Sequence, residues 1–191
     1  MRYFSISIVS VGVLALAAFG DAARHSLRWD RHAVLAGEYW RLLTGHLIHL
    51  SLSHAVWNLA GAVFLYAVFR HVWSLREWIV VMAVALLGIN IGLWWRTPLL
   101  DWYVGLSGVL HAVAAAALVP SLLARPLFRA DPIAWCVALL GGAKLLYESM
   151  VGALPFIDEG VIITVHRDGA AAGLLCGTGL YLIRRAKSAS T

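Results

Sequence analysis

Residues 104–123 read VGLSGVLHAVAAAALVPSLL, twenty consecutive residues without a single Asp, Glu, Lys or Arg. At about 1.5 Å per residue, a helix of that length matches the roughly 30 Å hydrocarbon core of a bilayer. The pattern recurs along the chain, with apolar runs at about residues 4–20, 50–69, 78–95, 132–154 and 160–183. The run at 132–154 carries Lys144 and Glu148, an i,i+4 pair able to neutralise itself on one helical face. The run at 160–183 is interrupted early by His166, Arg167 and Asp168. Composition agrees: 61% of the 191 residues are apolar and 13% are charged, with mean hydropathy +0.80. An average soluble domain carries about 25% charge. Ten acidic and 15 basic residues are too few to solvate a globule of this size, which excludes a soluble enzyme, a nucleic-acid-binding domain and a disordered regulator. The sequence predicts an all-α membrane protein, a six-transmembrane-helix bundle forming one domain over residues 1–191.

Charge placement orients the bundle. With the N-terminus in the cytoplasm, eight basic residues fall inside: Arg2, Arg70, Arg76, Arg125, Arg129, Arg184, Arg185 and Lys187. Five fall outside, of which Arg24, Arg28, Arg31 and Arg41 share one long loop and Arg96 lies in another. Short basic segments inside are what the positive-inside rule requires, so both termini are placed in the cytoplasm. The first run also resembles a signal peptide, with Arg2 before it and Ala17 and Ala18 near its end. Its length and the even count of spans favour an uncleaved helix. The net charge of +5 is scattered among apolar runs, which argues against a nucleic-acid partner. Cys136 and Cys176 lie in separate apolar runs without metal or disulfide spacing.

Polar groups inside spans are expensive and therefore mark candidate sites. His54 and Asn58, i and i+4 on the second span, share a face one to two turns below the outer surface. Ser107 is expected about one turn into the fourth span, and His166 about two turns into the sixth. Three segments thus carry polar groups to one depth under one leaflet. Gly108, Ala112 and Ala116 form one ridge of small residues; Gly169, Gly173 and Gly177 form another. Packed ridge to ridge, they bring Ser107 and His166 to the top of a shared seam. A serine within hydrogen-bond reach of a histidine is an activated nucleophile. The alternatives are a back-bonded serine and histidines that serve packing. A haem or metal site is a further rival. It lacks a signature, since no HExxH occurs and His49 and His54, five apart, share no helical face. No metal and no cofactor are therefore expected.

Four segments, in order, resemble the rhomboid family of intramembrane serine proteases. The first outer loop, about residues 21–49, ends Glu38-Tyr39-Trp40-Arg41-Leu42-Leu43-Thr44, similar to that family's ExWRxxT segment. His49, His54 and Asn58 match HxxxxHxxxN; Gly105, Ser107 and Gly108 match GxSG; His166, Gly169 and Gly173 match HxxGxxxG. The resemblance implies a Ser107/His166 dyad without a third acidic member. It also implies an oxyanion site from His54, Asn58 and the Ser107 backbone N–H, and a first loop lying in the outer leaflet, tied by Glu38 and Arg41.

The compact size and His111 are most similar to the bacterial rhombosortase subgroup. That likeness implies a transmembrane protein substrate, a surface protein with a C-terminal Gly-Gly sorting signal. It also implies location in the bacterial inner membrane, with the site facing the periplasmic or extracellular side. His111, one turn after Ser107, either braces the catalytic imidazole or bonds a neighbouring backbone group. Arg167 and Asp168 depart from the small or apolar residues expected beside the histidine, and Val165 stands where a smaller residue is usual. Those charges place His166 nearer water or pair with the outer loops. A catalytically inactive relative that binds membrane helices is the alternative function.

Overall fold

The computed structural model describes residues 20–123, 131–153 and 162–190. The expected first span, at 4–20, lies outside the described residues apart from Gly20. In chain order the described elements are helix α1 (Gly20–Leu27), strand β1 (Trp29–Asp30), α2 (Arg31–Leu35), α3 (Arg41–Thr44), α4 (Leu52–Phe69), α5 (Leu75–Trp95), β2 (Trp102–Tyr103), α6 (Ser107–Leu123), α7 (Pro132–Met150) and α8 (Thr164–Ala189). Among the described residues, α4, α5 and α7 are long and apolar enough to cross a membrane. They correspond to the second, third and fifth expected spans. α6 is a shorter apolar helix of 17 residues, and α8, with 26, carries charges at both ends.

Local chemistry starts these helices. The Ser51 side chain accepts the His54 N–H at the head of α4. Ser74 and Glu77 form a reciprocal capping box on α5. Asp131 caps α7, whose first residue is Pro132. Large apolar side chains on α4, α5 and α7, among them Trp57, Leu87 and Leu140, point away from the protein, as lipid-facing residues do.

The seam between α6 and α8 is the tightest contact. A Cβ added at Gly169 would collide with Gly108 O, one at Gly173 with Ala112 O, and one at Gly177 would lie 2.6 Å from Ala116 O. α5 closes on the other face of α8, where a Cβ at Gly88 would meet Ala172 at 2.7 Å and Gly92 faces the Asp168 carboxyl. The two ridges of small residues do pack on each other, in register.

Two boundaries differ from expectation. Ser107 is the first residue of α6 and His166 lies in the first turn of α8, so neither sits as deep in its helix as the apolar runs suggest. For Ser107 the cause is an extended entry that hydropathy does not mark. Trp29 pairs with Tyr103 and Asp30 with Trp102 in a short antiparallel ladder, a small exception to the all-α reading. Gly105 then turns the chain at φ +135°, a conformation open to glycine.

Candidate active site

The first loop is built to hold that extended entry. Trp29 is fully buried against Ile89, Leu93, Tyr103, Val109 and Val165, which fixes β1 and hence its partner β2. Gly45 lies so close to Trp29 that a Cβ would meet its backbone nitrogen at 2.5 Å, and Gly45 O accepts the Gly105 N–H at 3.0 Å. The buried Tyr103 hydroxyl donates to Gly105 O. Burial also raises the Tyr103 phenol above its ordinary range and lowers His46 to about 4. Arg41 ties the loop down, its Nε donating to Glu38 Oε2 at 2.6 Å and its Nη1 to His25 O at 2.9 Å and Arg28 O at 3.0 Å. Thr44 Oγ1 donates to Leu27 O at 2.6 Å, while Trp40 is half-exposed with its indole N–H directed at Ser26 O. The Glu38, Trp40 and Arg41 segment is thus a clamp on α1 and β1.

With the entry fixed, Ser107 presents its hydroxyl at the N-terminus of α6. His166 Nε2 lies 2.8 Å from Ser107 Oγ, across the glycine seam, with the ring 2% exposed. Gly108 and Gly169, flanking the pair, are what let the two backbones approach this closely. His111 does both things expected of it as alternatives. Its Nδ1 lies 2.7 Å from Ser107 O, and its ring stacks on His166 with centroids 4.4 Å apart and 19° between planes.

The structure departs from the expected two-residue arrangement. Glu148 Oε2 lies 2.8 Å from His166 Nδ1, so an acidic side chain occupies the third position. Lys144 Nζ reaches Glu148 Oε1 at 2.6 Å, His166 Nδ1 at 3.2 Å and His111 Nε2 at 3.3 Å. The pair on α7 neutralises itself as its spacing suggests, but on the face turned toward His166.

The other expected residues are partly assembled. The His54 ring lies beside the turn before Ser107, where a Cβ on Gly105 would sit 3.2 Å from His54 Cε1, and it meets His49 edge-on at 5.1 Å. Asn58 is buried one turn along α4, where its Nδ2 donates to His54 O at 2.9 Å. Asn58 Oδ1 has no partner among the described residues. Of the two charges beside His166, buried Asp168 forms an ion pair with Arg96 at the end of α5, while Arg167 is exposed and His166 itself stays buried. Val165 is fully buried in the core with Trp29.

Three supporting residues escape a motif reading. Asn90 Nδ2 donates to Leu42 O at 3.0 Å and Leu86 O at 2.8 Å, with His46 Nε2 3.3 Å away, tying α5 to the first loop. Arg31 donates to Leu93 O at 2.7 Å, Thr97 O at 2.9 Å and Leu100 O at 3.1 Å, closing the end of α5. Glu148 is the third. An uncharged polar residue or an ion pair inside an apolar run was the available signal for Asn90 and Glu148; Arg31, in a charged loop, had none.

Comparison with known proteins places the chain in a family. Residues 36–183 match the Rhomboid domain. A protein of Bacillus subtilis (strain 168) named "Putative rhomboid protease YdcA" is 28% identical over 144 residues, covering 74% of this chain and 67% of that protein. The matched region runs from the clamp in the first loop into α8 and contains all four motif segments. This integral membrane protein belongs to the rhomboid family.

Proposed function

We propose that this chain is an intramembrane serine endopeptidase in which Ser107 is the nucleophile and His166 the general base and acid. The observation that carries the reading is the 2.8 Å contact between Ser107 Oγ and His166 Nε2, made across a seam that only glycines permit. Ser107 Oγ attacks the scissile carbonyl carbon as its proton passes to His166 Nε2. The tetrahedral intermediate collapses, the C–N bond breaks, and His166 returns the proton to the leaving amine. Water then attacks the acyl-serine, again losing a proton to His166, and the new carboxyl end departs as Ser107 is restored. The Ser107 N–H, at the free end of α6, is the first donor to the oxyanion, with His54 and Asn58 supporting it. Donors of this kind contribute about 3–4 kcal/mol each to the barrier.

The substrate class follows from surroundings and resemblance. An apolar groove of about 770 Å³, bounded by Phe64, Leu110, Ala114, Val137 and Leu145, reaches His111 beside the reacting pair. It suits a membrane-anchored segment approaching from lipid. Cleavage is proposed near the outer face of the bacterial inner membrane, on a surface protein whose C-terminal signal is Gly-Gly, one span and a basic tail. Small residues at the cut let the substrate helix unwind, since a bilayer penalises unpaired backbone. The distribution of Lys and Arg supports that side of the membrane.

The test is cleavage of a one-span reporter carrying that signal, with purified protein in liposomes. Ser107→Ala and His166→Ala abolish cleavage at unchanged protein level. Cleavage by purified Ser107→Ala at the native rate removes the reading.

A further inference from the structure

We propose that Glu148 is a positioning residue of the site, fixing the proton on His166 Nδ1, and that without it Lys144 drives His166 into the unproductive tautomer. This inference rests on the reading of Ser107 and His166 as the reacting pair. It begins with burial. Glu148 is 4% exposed on α7, a helix apolar enough to cross a membrane. A carboxylate there is costly unless its oxygens are matched. Both are matched, Oε1 by Lys144 Nζ at 2.6 Å and Oε2 by His166 Nδ1 at 2.8 Å.

The partners then dictate where protons lie. Ser107 O can only accept, so His111 carries its proton on Nδ1 and leaves Nε2 bare to accept from Lys144. The Glu148 carboxylate can only accept, so His166 carries its proton on Nδ1 and leaves Nε2 bare toward the Ser107 hydroxyl. This one arrangement, the reactive one, satisfies each of these bonds and leaves only the Lys144–His166 contact unmade. A competitor is built in. Lys144 Nζ is also 3.2 Å from His166 Nδ1. Were Lys144 to donate there, the His166 proton would move to Nε2 and meet Ser107 as N–H, leaving no base. Glu148 prevents this by taking the Nδ1 proton and engaging Lys144 at its other oxygen. It also offsets the Lys144 charge when His166 becomes an imidazolium during attack.

The test uses a fluorophosphonate probe on the full chain in liposomes. Ser107 Oγ bonds to phosphorus, fluoride leaves, and the serine proton passes to His166, so no natural substrate is needed. The limiting rate kinact reports the chemistry and KI reports probe binding. Glu148→Gln is expected to lower kinact about 10²-fold or more with KI unchanged, within the range for a misoriented triad histidine. Glu148→Asp recovers part of the rate. The double variant Glu148→Gln, Lys144→Met reacts at least ten times faster than Glu148→Gln alone, a rescue that a merely structural role would not produce.

Melting curves in the same liposomes identify any variant unfolded at the assay temperature. If Glu148→Gln is such a variant, the comparison passes to Glu148→Asp and the charge-free double, both against the native chain; a double variant slower than Glu148→Asp supports the proposal and one matching the native chain overturns it. A Glu148→Gln rate within threefold of native, or no rescue by Lys144→Met, overturns the role of Glu148 while labelled Ser107 leaves the protease reading intact. A native chain unlabelled at Ser107 overturns both.

Discussion

Gly169→Ala adds one methyl group at the point where α6 and α8 are closest, and its effect can be worked from the seam. The new Cβ would run into Gly108 O, nearer than any carbon–oxygen contact allows. Ordinary contacts of that type begin at about 3.3 Å, so the helices must part by about 1 Å or more. Ser107 is next to Gly108, and His166 is one turn from Gly169, so the parting falls on the Ser107–His166 contact. Its separation grows from 2.8 Å toward about 3.8 Å, beyond hydrogen-bond range. Misplacement by about 1 Å is worth about 10² in rate, and overpacking adds ~1–3 kcal/mol of instability. Gly173→Ala meets Ala112 O in the same way, whereas Gly177→Ala starts from 2.6 Å and needs about 0.7 Å of relief, two turns farther from the pair. Gly179 on the same helix has nothing within 4 Å of its added Cβ, so Gly179→Ala is neutral or stabilises by up to ~1 kcal/mol through helix propensity. Fluorophosphonate labelling and thermal unfolding of the four variants should rank Gly169 and Gly173 worst, Gly177 between, and Gly179 best. Gly169→Ala labelled at the native rate and melting like Gly179→Ala would refute the argument that the seam sets the site.

Two further outcomes are expected outside the spans. Burial holds His46 and His49 at about 4 in the folded chain against 6.5 when unfolded. The unfolded state therefore binds more protons between those values: stability is full above pH 6.5 and is lost as pH falls toward 4, by at most ~3 kcal/mol per histidine. Melting temperature measured from pH 7.5 to 4 should decline through that window, with a shallower slope for His46→Phe; a flat profile would contradict the burial argument. Arg31→Lys keeps the charge but loses the fork that spans Leu93 O, Thr97 O and Leu100 O and stacks 4.5 Å over Trp94. A loss of ~1–3 kcal/mol in unfolding free energy is expected, with slower labelling of Ser107 because β2 loosens with the end of α5.

What was legible in the sequence follows what lipid penalises. Apolar runs located α4, α5 and α7 because a spanning helix must be long and uncharged. The ridges at Gly108, Ala112 and Ala116 and at Gly169, Gly173 and Gly177 were readable because close helix packing in a bilayer requires small residues at a fixed period. Where Ser107 and His166 sit in their helices was not readable. The start of α6 depends on the pairing of Trp29 with Tyr103, some seventy residues apart, and on the turn at Gly105. The face of α7 that turns inward was hidden for a different reason. In water, hydrophobic contrast points a helix toward its core. In lipid both faces are apolar, so Lys144 and Glu148 could be paired from their spacing but not aimed.

The ion pairs show why that missing aim matters for chemistry. Asp168 sits two residues after His166 and is buried, yet Arg96 claims it from the end of α5, so it is not left to act on the imidazole. Glu148, eighteen residues before His166 in sequence, is the carboxylate that reaches the ring. Sequence proximity alone would favour Asp168 as the acidic partner. Helix geometry decides otherwise: His166 and Asp168 are i and i+2, on different faces of α8, one toward α6 and α7 and the other toward Gly92 of α5. Each buried carboxylate thus goes to the helix its own face meets, and His166 takes its partner from α7.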